Sequence, residues 1–138
     1  MTRSGAAQDT TTTPSWSVGG LFLEALAARD FDRLADCLTP AATMRALTLG
    51  GLTEYDGASD IADRMRSWFG GAEAYEVLDG TVGDVGGRMH LSWRLRMHPT
   101  PWGDDTWHVV EQQAYLRAGE RIEAIDLLCS GFQPDPRS

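Results

Sequence analysis

Three side chains late in the chain have the chemistry to carry or direct a proton: His108, Gln112 and Asp126. An imidazole exchanges protons near neutrality. A carboxylate can serve as general acid or base, and an amide can orient or polarise a carbonyl without titrating. The three belong to two β-rich runs, Trp107–Arg117 and Arg121–Phe132, joined by the Gly-containing turn Ala118-Gly119-Glu120. That pattern predicts a β-hairpin. Parity puts His108, Val110, Gln112, Ala114 and Leu116 on one face of the first run, and Trp107, Val109, Glu111, Gln113, Tyr115 and Arg117 on the other. Neither face reads as simply solvated, so each must cover something, a core or pocket on one side and a partner surface on the other.

In the second run Ile125, Leu127 and Cys129 share a face, which turns Asp126 outward on strict alternation; a bulge would reverse it. His108 faces inward if Gln112 does, and its alternative is a strand-end histidine at the rim or in solvent. Glu111 shares the outward parity of Trp107 and Tyr115 and reads as an interface charge. Asp56 beside Gly57 reads as a turn residue. His90 and His98 lie on the cationic face of another strand, and the three histidines share no ligand spacing, so no metal is expected. Cys37 and Cys129 form no C-x-x-C pair and read as buried free thiols. No glycine run matches a phosphate-cradling loop and no nucleophile elbow occurs, so no cofactor is expected.

The elements that must position these residues follow from periodicity. Leu21, Phe22, Ala25, Leu26 and Ala28 make one face of a helix starting at Pro14-Ser15. Asp30 caps a second short helix, Phe31 to Leu38, stopped by Pro40. A β-prone stretch follows to Leu49, then a short strand or turn over Thr53–Gly57. Ser59 caps a third helix with Ile61, Met65, Trp68 and Phe69 on its buried side, and Gly70-Gly71 ends it. Beyond it the period becomes two. Met89, Leu91, Trp93, Leu95 and Met97 alternate strictly with Arg88, His90, Ser92, Arg94, Arg96 and His98. Helices first and long strands after predict an α+β domain: a curved antiparallel sheet, cone-shaped, with three helices against its inner face enclosing a pocket. Phe22, Met44, Trp68, Leu91, Trp93 and Leu127 would line the pocket wall as core residues first, with Thr48 and Gln112 as its neutral hydrogen-bonding groups.

The chain has 138 residues and a formal charge of −8, and all of its Lys and Arg are Arg. That length supports one domain with a core, over residues 14–133, between a polar tail at 1–13 and a short tail at 134–138. The acidic balance argues against nucleic acid as a partner. No apolar run reaches the length of a membrane span and no signal-peptide core is present, so a soluble cytoplasmic protein with no membrane partner is expected.

Four segments in order carry a resemblance: Leu26-Ala-Ala-Arg-Asp-Phe-Asp-Arg-Leu34 with Leu38-Thr-Pro-Ala-Ala-Thr43, then Tyr55-Asp-Gly57 with Ile61 four residues on, then the turn Leu116-Arg-Ala-Gly-Glu-Arg-Ile122. From Leu21 to Phe132 the chain resembles the nuclear-transport-factor-2-like superfamily, which includes ketosteroid isomerases and SnoaL-like polyketide cyclases. The resemblance implies a pocketed fold whose chemistry varies between members. Where ketosteroid isomerases place a carboxylate base, a tyrosine and a protonated aspartic acid, this chain has Ala46, Phe22 and Gln112, so that mechanism is not expected. Arg94-Leu95-Arg96 lacks the aspartate that limonene-epoxide-hydrolase-like enzymes need on a pocket strand. The SnoaL-like layout implies a late carboxylate, here Asp126.

These readings together predict a cofactor-independent enzyme of cyclase, isomerase or dehydratase type acting on an apolar, cyclic, polyketide-like metabolite of secondary metabolism. His108 or Asp126 would carry the proton, and Gln112 would orient a carbonyl. The alternative is a non-catalytic ligand-binding or dimerisation module of the same fold. The aromatic and charged outer faces predict a homodimer through the outer sheet face.

Overall fold

Helix α1 (Ser15–Ala28) ends where Arg29 takes a left-handed turn (φ 53°), and α2 (Phe31–Asp36) follows at once, with Asp30 accepting from the Arg33 backbone N–H at 3.1 Å. The structure, a computed structural model, describes residues 15–136, with side chains described from Val18 onward. The tail expected over residues 1–13 lies outside the described residues.

Helix α2 ends two residues earlier than its apolar stripe predicts, because Leu38 already opens strand β1 (Leu38–Thr48), with Pro40 inside the strand. Strand β2 (Gly51–Asp56) leads through Gly57, at φ 97°, into α3 (Ala58–Phe69). Gly57 is the N-cap and no side chain caps this helix, so the expected capping by Ser59 is corrected: the turn needs a left-handed residue at 57, which starts the helix one residue before Ser59. The four long strands are β3 (Ala74–Val85), β4 (Arg88–His98), β5 (His108–Ala118) and β6 (Ile122–Pro134).

The six strands form one sheet in the order β2-β1-β6-β5-β4-β3. The sheet is mixed and not purely antiparallel as predicted, because β1 and β6 pair in parallel. The long excursion between those two strands carries β2, α3, β3, β4 and β5, which allows their ends to run the same way. Helices α1, α2 and α3 all come before β3, and the α+β prediction holds.

One face of the sheet meets the helices. Met44 and Ala46 of β1, Leu91, Trp93, Leu95 and Met97 of β4, Val110, Gln112 and Ala114 of β5, and Ile125 and Leu127 of β6 are buried against Phe22, Leu26, Ile61, Met65 and Phe69. Each large apolar side chain buried here contributes about 1.5–3 kcal/mol. Three hydrogen bonds lock the C-terminal ends of the helices over this layer: Arg29 Nη1 donates to the carbonyls of Phe69 (3.1 Å) and Ala72 (2.7 Å), and Tyr75 Oη donates to Leu26 O (2.9 Å). The tail expected from residue 134 is anchored at its start. Pro134 ends β6, and buried Asp135 donates its N–H to Trp107 O at 2.9 Å and accepts from Arg96 Nε at 2.9 Å.

Candidate functional site on the inner sheet face

Strand register sets the site. Trp93, Gln112 and Cys129 are cross-strand partners on β4, β5 and β6, so the three form one row across the sheet. Directly paired residues point to the same face, and Trp93 and Gln112 are fully buried beneath the helices. Phe22 of α1 lies against Trp93, with ring centroids 5.9 Å apart.

Within that apolar layer Trp93 Nε1 donates to Gln112 Oε1 at 3.0 Å. An indole N–H is only a donor, so this bond fixes which end of the amide faces Trp93. Gln112 Nε2 is then left as a buried donor with no hydrogen-bond partner among the described residues. A buried amide N–H without an acceptor costs about 1–3 kcal/mol. Ala46 and Phe22 are hydrocarbon side chains fully buried in the core. Leu91, Met44 and Leu127 are buried in the same layer, while Trp68 is half-buried at its edge.

A bulge next to this row explains how β6 reaches it. Pairing runs Gln112 to Cys129 and then Val110 to Phe132, so Ser130 and Gly131 together oppose Glu111. Gly131 takes φ 83°, and Ser130 Oγ accepts from the Glu111 N–H at 3.0 Å. The extra residue brings Phe132 back to the helix side, where its ring lies 6.4 Å from that of Phe69.

His108 is buried at the start of β5, four residues from Gln112, which sets their Cα atoms about 13 Å apart along the strand. Its Nδ1 lies 3.0 Å from Thr106 O, so Nδ1 carries a proton and donates it to that carbonyl. Its Nε2 faces the Asp104 carboxylate at 3.9 Å. The Thr106 backbone N–H and hydroxyl both donate to Asp104 (3.0 and 2.8 Å) and hold its carboxyl below the usual range, with the nearby His108 acting in the same direction. The Trp102 ring stands edge-on to both His108 and Phe132, with centroids 5.9 and 5.4 Å apart. Trp102 gives no sequence signal for this role, because loop residues carry no periodicity.

Two expected site residues are elsewhere. Asp126 is on the outer face, where Arg45 Nε (2.8 Å) and Arg88 Nη1 (2.9 Å) each donate to one of its carboxylate oxygens. Neither register shift of β6 falls between Ile125 and Cys129: one lies at Glu123, before that stretch, and the other at Ser130–Gly131, after it, so Asp126 keeps its outward direction. Hydrogen bonding from Arg45 leads the effects that hold its carboxyl below the usual range, despite partial burial acting the other way. Asp126 is therefore an ionised, paired surface carboxylate, remote from His108 and Gln112. Thr48 is corrected as well: its hydroxyl accepts from the Gly50 N–H at 3.1 Å and lies 3.4 Å from Gly51 O, committed to the β1–β2 turn.

Among the described residues, clefts open on other parts of the molecule. One of about 340 Å³ lies at the β3–β4 hairpin against Met89 and Leu116, and one of about 390 Å³ lies between α1, α2 and the β5–β6 turn. Two on the outer face, about 430 and 270 Å³, share Arg45 and Asp126.

The same arrangement of elements occurs in solved structures. A candidate SnoaL-like polyketide cyclase from Shewanella putrefaciens superposes with a TM-score of 0.65 at 13% identity, over 82% of this chain and 87% of that one. A candidate polyketide cyclase from Pseudomonas putida gives 0.66 at 12% identity over 83% and 91%. A candidate ketosteroid isomerase from Kribbella flavida gives 0.62 at 11% identity over 87% and 81%. This chain has the nuclear-transport-factor-2-like fold. No protein-family model and no curated protein matches its sequence. Within this fold the layer between helices and sheet is where Gln112 presents its unpaired donor. Among the described residues no helix is long and apolar enough to cross a membrane.

Proposed function

We propose that this protein binds an apolar, cyclic small molecule between the helices and the inner sheet face, with Gln112 Nε2 donating to an acceptor oxygen of the ligand, a ketone or quinone carbonyl. The orphaned Nε2 carries this reading. A buried donor fixed by its own neighbour is favourable only when an acceptor arrives. Phe22, Trp93, Leu91 and Leu127 would supply apolar contact, and the candidate polyketide cyclases among proteins of this fold fit a polyketide-like ligand. Calorimetric titration with cyclic ketones and their matching hydrocarbons tests it. Wild type should prefer the ketone by roughly three- to tenfold, the worth of one neutral hydrogen bond. The double variant Trp93→Phe/Gln112→Leu should lose that preference. Equal affinity for ketone and hydrocarbon in wild type would refute the reading.

Geometry at His108 favours a second reading, in which the bound molecule also undergoes proton transfer as in a cyclase, isomerase or dehydratase. With Nδ1 donating to Thr106 O, the imidazole is held in one orientation and Nε2 is the nitrogen that exchanges a proton. Deuterium exchange at the carbon beside the carbonyl of a bound ketone, followed by NMR, reads this directly. His108→Gln should slow the exchange by about a hundredfold. Unchanged exchange in His108→Gln would leave binding as the function. The outer sheet face, on this proposal, joins two copies into a homodimer.

A further inference from the structure

We propose that Cys129 is a covalent-capture site for α,β-unsaturated carbonyl compounds: its thiol adds to the β-carbon of a ligand whose carbonyl oxygen accepts from Gln112 Nε2. The inference rests on the ligand-binding reading above and names the substrate class of that site. Three observations support it. Cys129 is the β6 partner of Gln112, in the same row as Trp93, and two residues on from buried Leu127 on the same strand, so its side chain shares the helix-covered face. It packs against the core yet is only half-buried, whereas Cys37 is buried. With Gln112 Oε1 committed to Trp93 on β4, the N–H₂ end turns away from β4, and β6 supplies Cys129 as the neighbour on the other side.

The two thiols also differ in what holds them. Gly131, in the bulge, donates its backbone N–H to Cys129 Sγ at 3.4 Å, so this sulfur is held as an acceptor beside the row. Cys37 Sγ instead donates to Arg33 O at 3.5 Å, and burial raises its pKa, so it stays protonated and inert. In the addition, the Cys129 thiol proton leaves to solvent and the sulfur forms an S–C bond to the β-carbon. The π pair of the C=C bond moves to the carbonyl oxygen as an enolate, which Gln112 Nε2 stabilises as donor. The α-carbon then takes a proton from water. The sum is addition of S–H across one double bond, with no oxidant and no leaving group.

Intact-mass measurement of the full chain incubated with cyclohexenone should show one added enone per chain, mapped to Cys129 and absent from Cys129→Ser. Trp93→Phe/Gln112→Leu removes donor and acceptor together, which preserves packing. It should slow the addition roughly tenfold, while methyl methanethiosulfonate, a thiol reagent without a carbonyl, labels Cys129 at an unchanged rate. An addition rate indifferent to that double variant would overturn the proposal, as would a Cys129 that the thiosulfonate labels and the enone does not. Saturated cyclohexanone separates the two levels. If it binds in a Gln112-dependent way and no enone adduct forms, capture fails and the binding reading stands. If it does not bind and no adduct forms, both fall.

Discussion

Trp93 and Gln112 are joined by a single buried hydrogen bond, Nε1 to Oε1 at 3.0 Å, and that bond orients the only unpartnered amide of the described core. Both residues are fully buried, so neither can exchange its partner for water. Gln112→Leu alone exchanges the stranded Nε2 for a stranded indole N–H, so it should be less stable than the double variant Trp93→Phe/Gln112→Leu by about 1–3 kcal/mol. Trp93→Phe/Gln112→Leu strands nothing and should fall within about 1.5 kcal/mol of wild type, with any excess coming from the smaller ring. Urea denaturation of the three proteins gives the comparison. A double variant no more stable than Gln112→Leu would show that the indole bond is not the source of the loss.

Asp126 makes a prediction on pH. Its carboxyl is held below its ordinary value of 3.8 in the folded chain, chiefly by hydrogen bonding from Arg45. A carboxyl with a depressed folded pKa binds fewer protons folded than unfolded, so its stabilisation is fully present above the unfolded value. It is lost as pH falls through the folded one. The wild-type protein should therefore lose stability below about pH 4 faster than Asp126→Asn does. Near pH 7 the substitution should cost under about 1 kcal/mol, because the arginines are exposed. Ligand binding on the inner face should be untouched. Thermal melts from pH 3 to pH 7 test the sign, and parallel melting curves of the two proteins over that range would contradict it.

Period-two alternation made β4 and β5 readable residue by residue: Leu91, Trp93, Val110 and Gln112 all lie inward as parity requires. Asp126 followed the same rule. What parity does not carry is pairing. Arg45 and Arg88 come 81 and 38 residues before Asp126, and only the parallel β1–β6 register, with β5 between β6 and β4, brings them to it. The Gly57 start of α3 was missed for a related reason, since a serine two positions on gives a side-chain cap signal while a left-handed glycine gives a backbone one. Thr48 reads as a neutral pocket hydroxyl in the sequence, although the Gly50-Gly51 pair beyond it makes a turn that uses that hydroxyl.

The outer face predicts self-association. Leu47, Leu52 and Leu128 are 47%, 61% and 46% exposed and share a shallow cleft with Tyr115 and Arg45. Apolar side chains gathered this way on a sheet face favour burial against another surface. Sedimentation equilibrium at micromolar concentration should give twice the chain mass, and Leu52→Arg with Leu128→Glu should return the monomer without unfolding it. A wild-type monomer under those conditions would remove the homodimer proposal and leave the inner-face reading standing.

Gly131 is the position at which the β6 bulge is most sensitive. Its φ of 83° is left-handed, and a Cβ there would lie 2.5 Å from Leu49 Cδ1 and 3.0 Å from its Cγ. Gly131→Ala therefore combines about 1–2 kcal/mol of backbone strain with a steric clash that the exposed Leu49 relieves by rotating away. The larger effect should be local. Straightening the bulge would move Phe132 off Phe69 and disturb the Gly131 N–H contact to Cys129. Leu49→Ala in the same chain should recover the steric part and none of the conformational part. Denaturation midpoints of Gly131→Ala, Leu49→Ala and the pair separate the two contributions, and full recovery in the pair would show that the left-handed backbone costs nothing there.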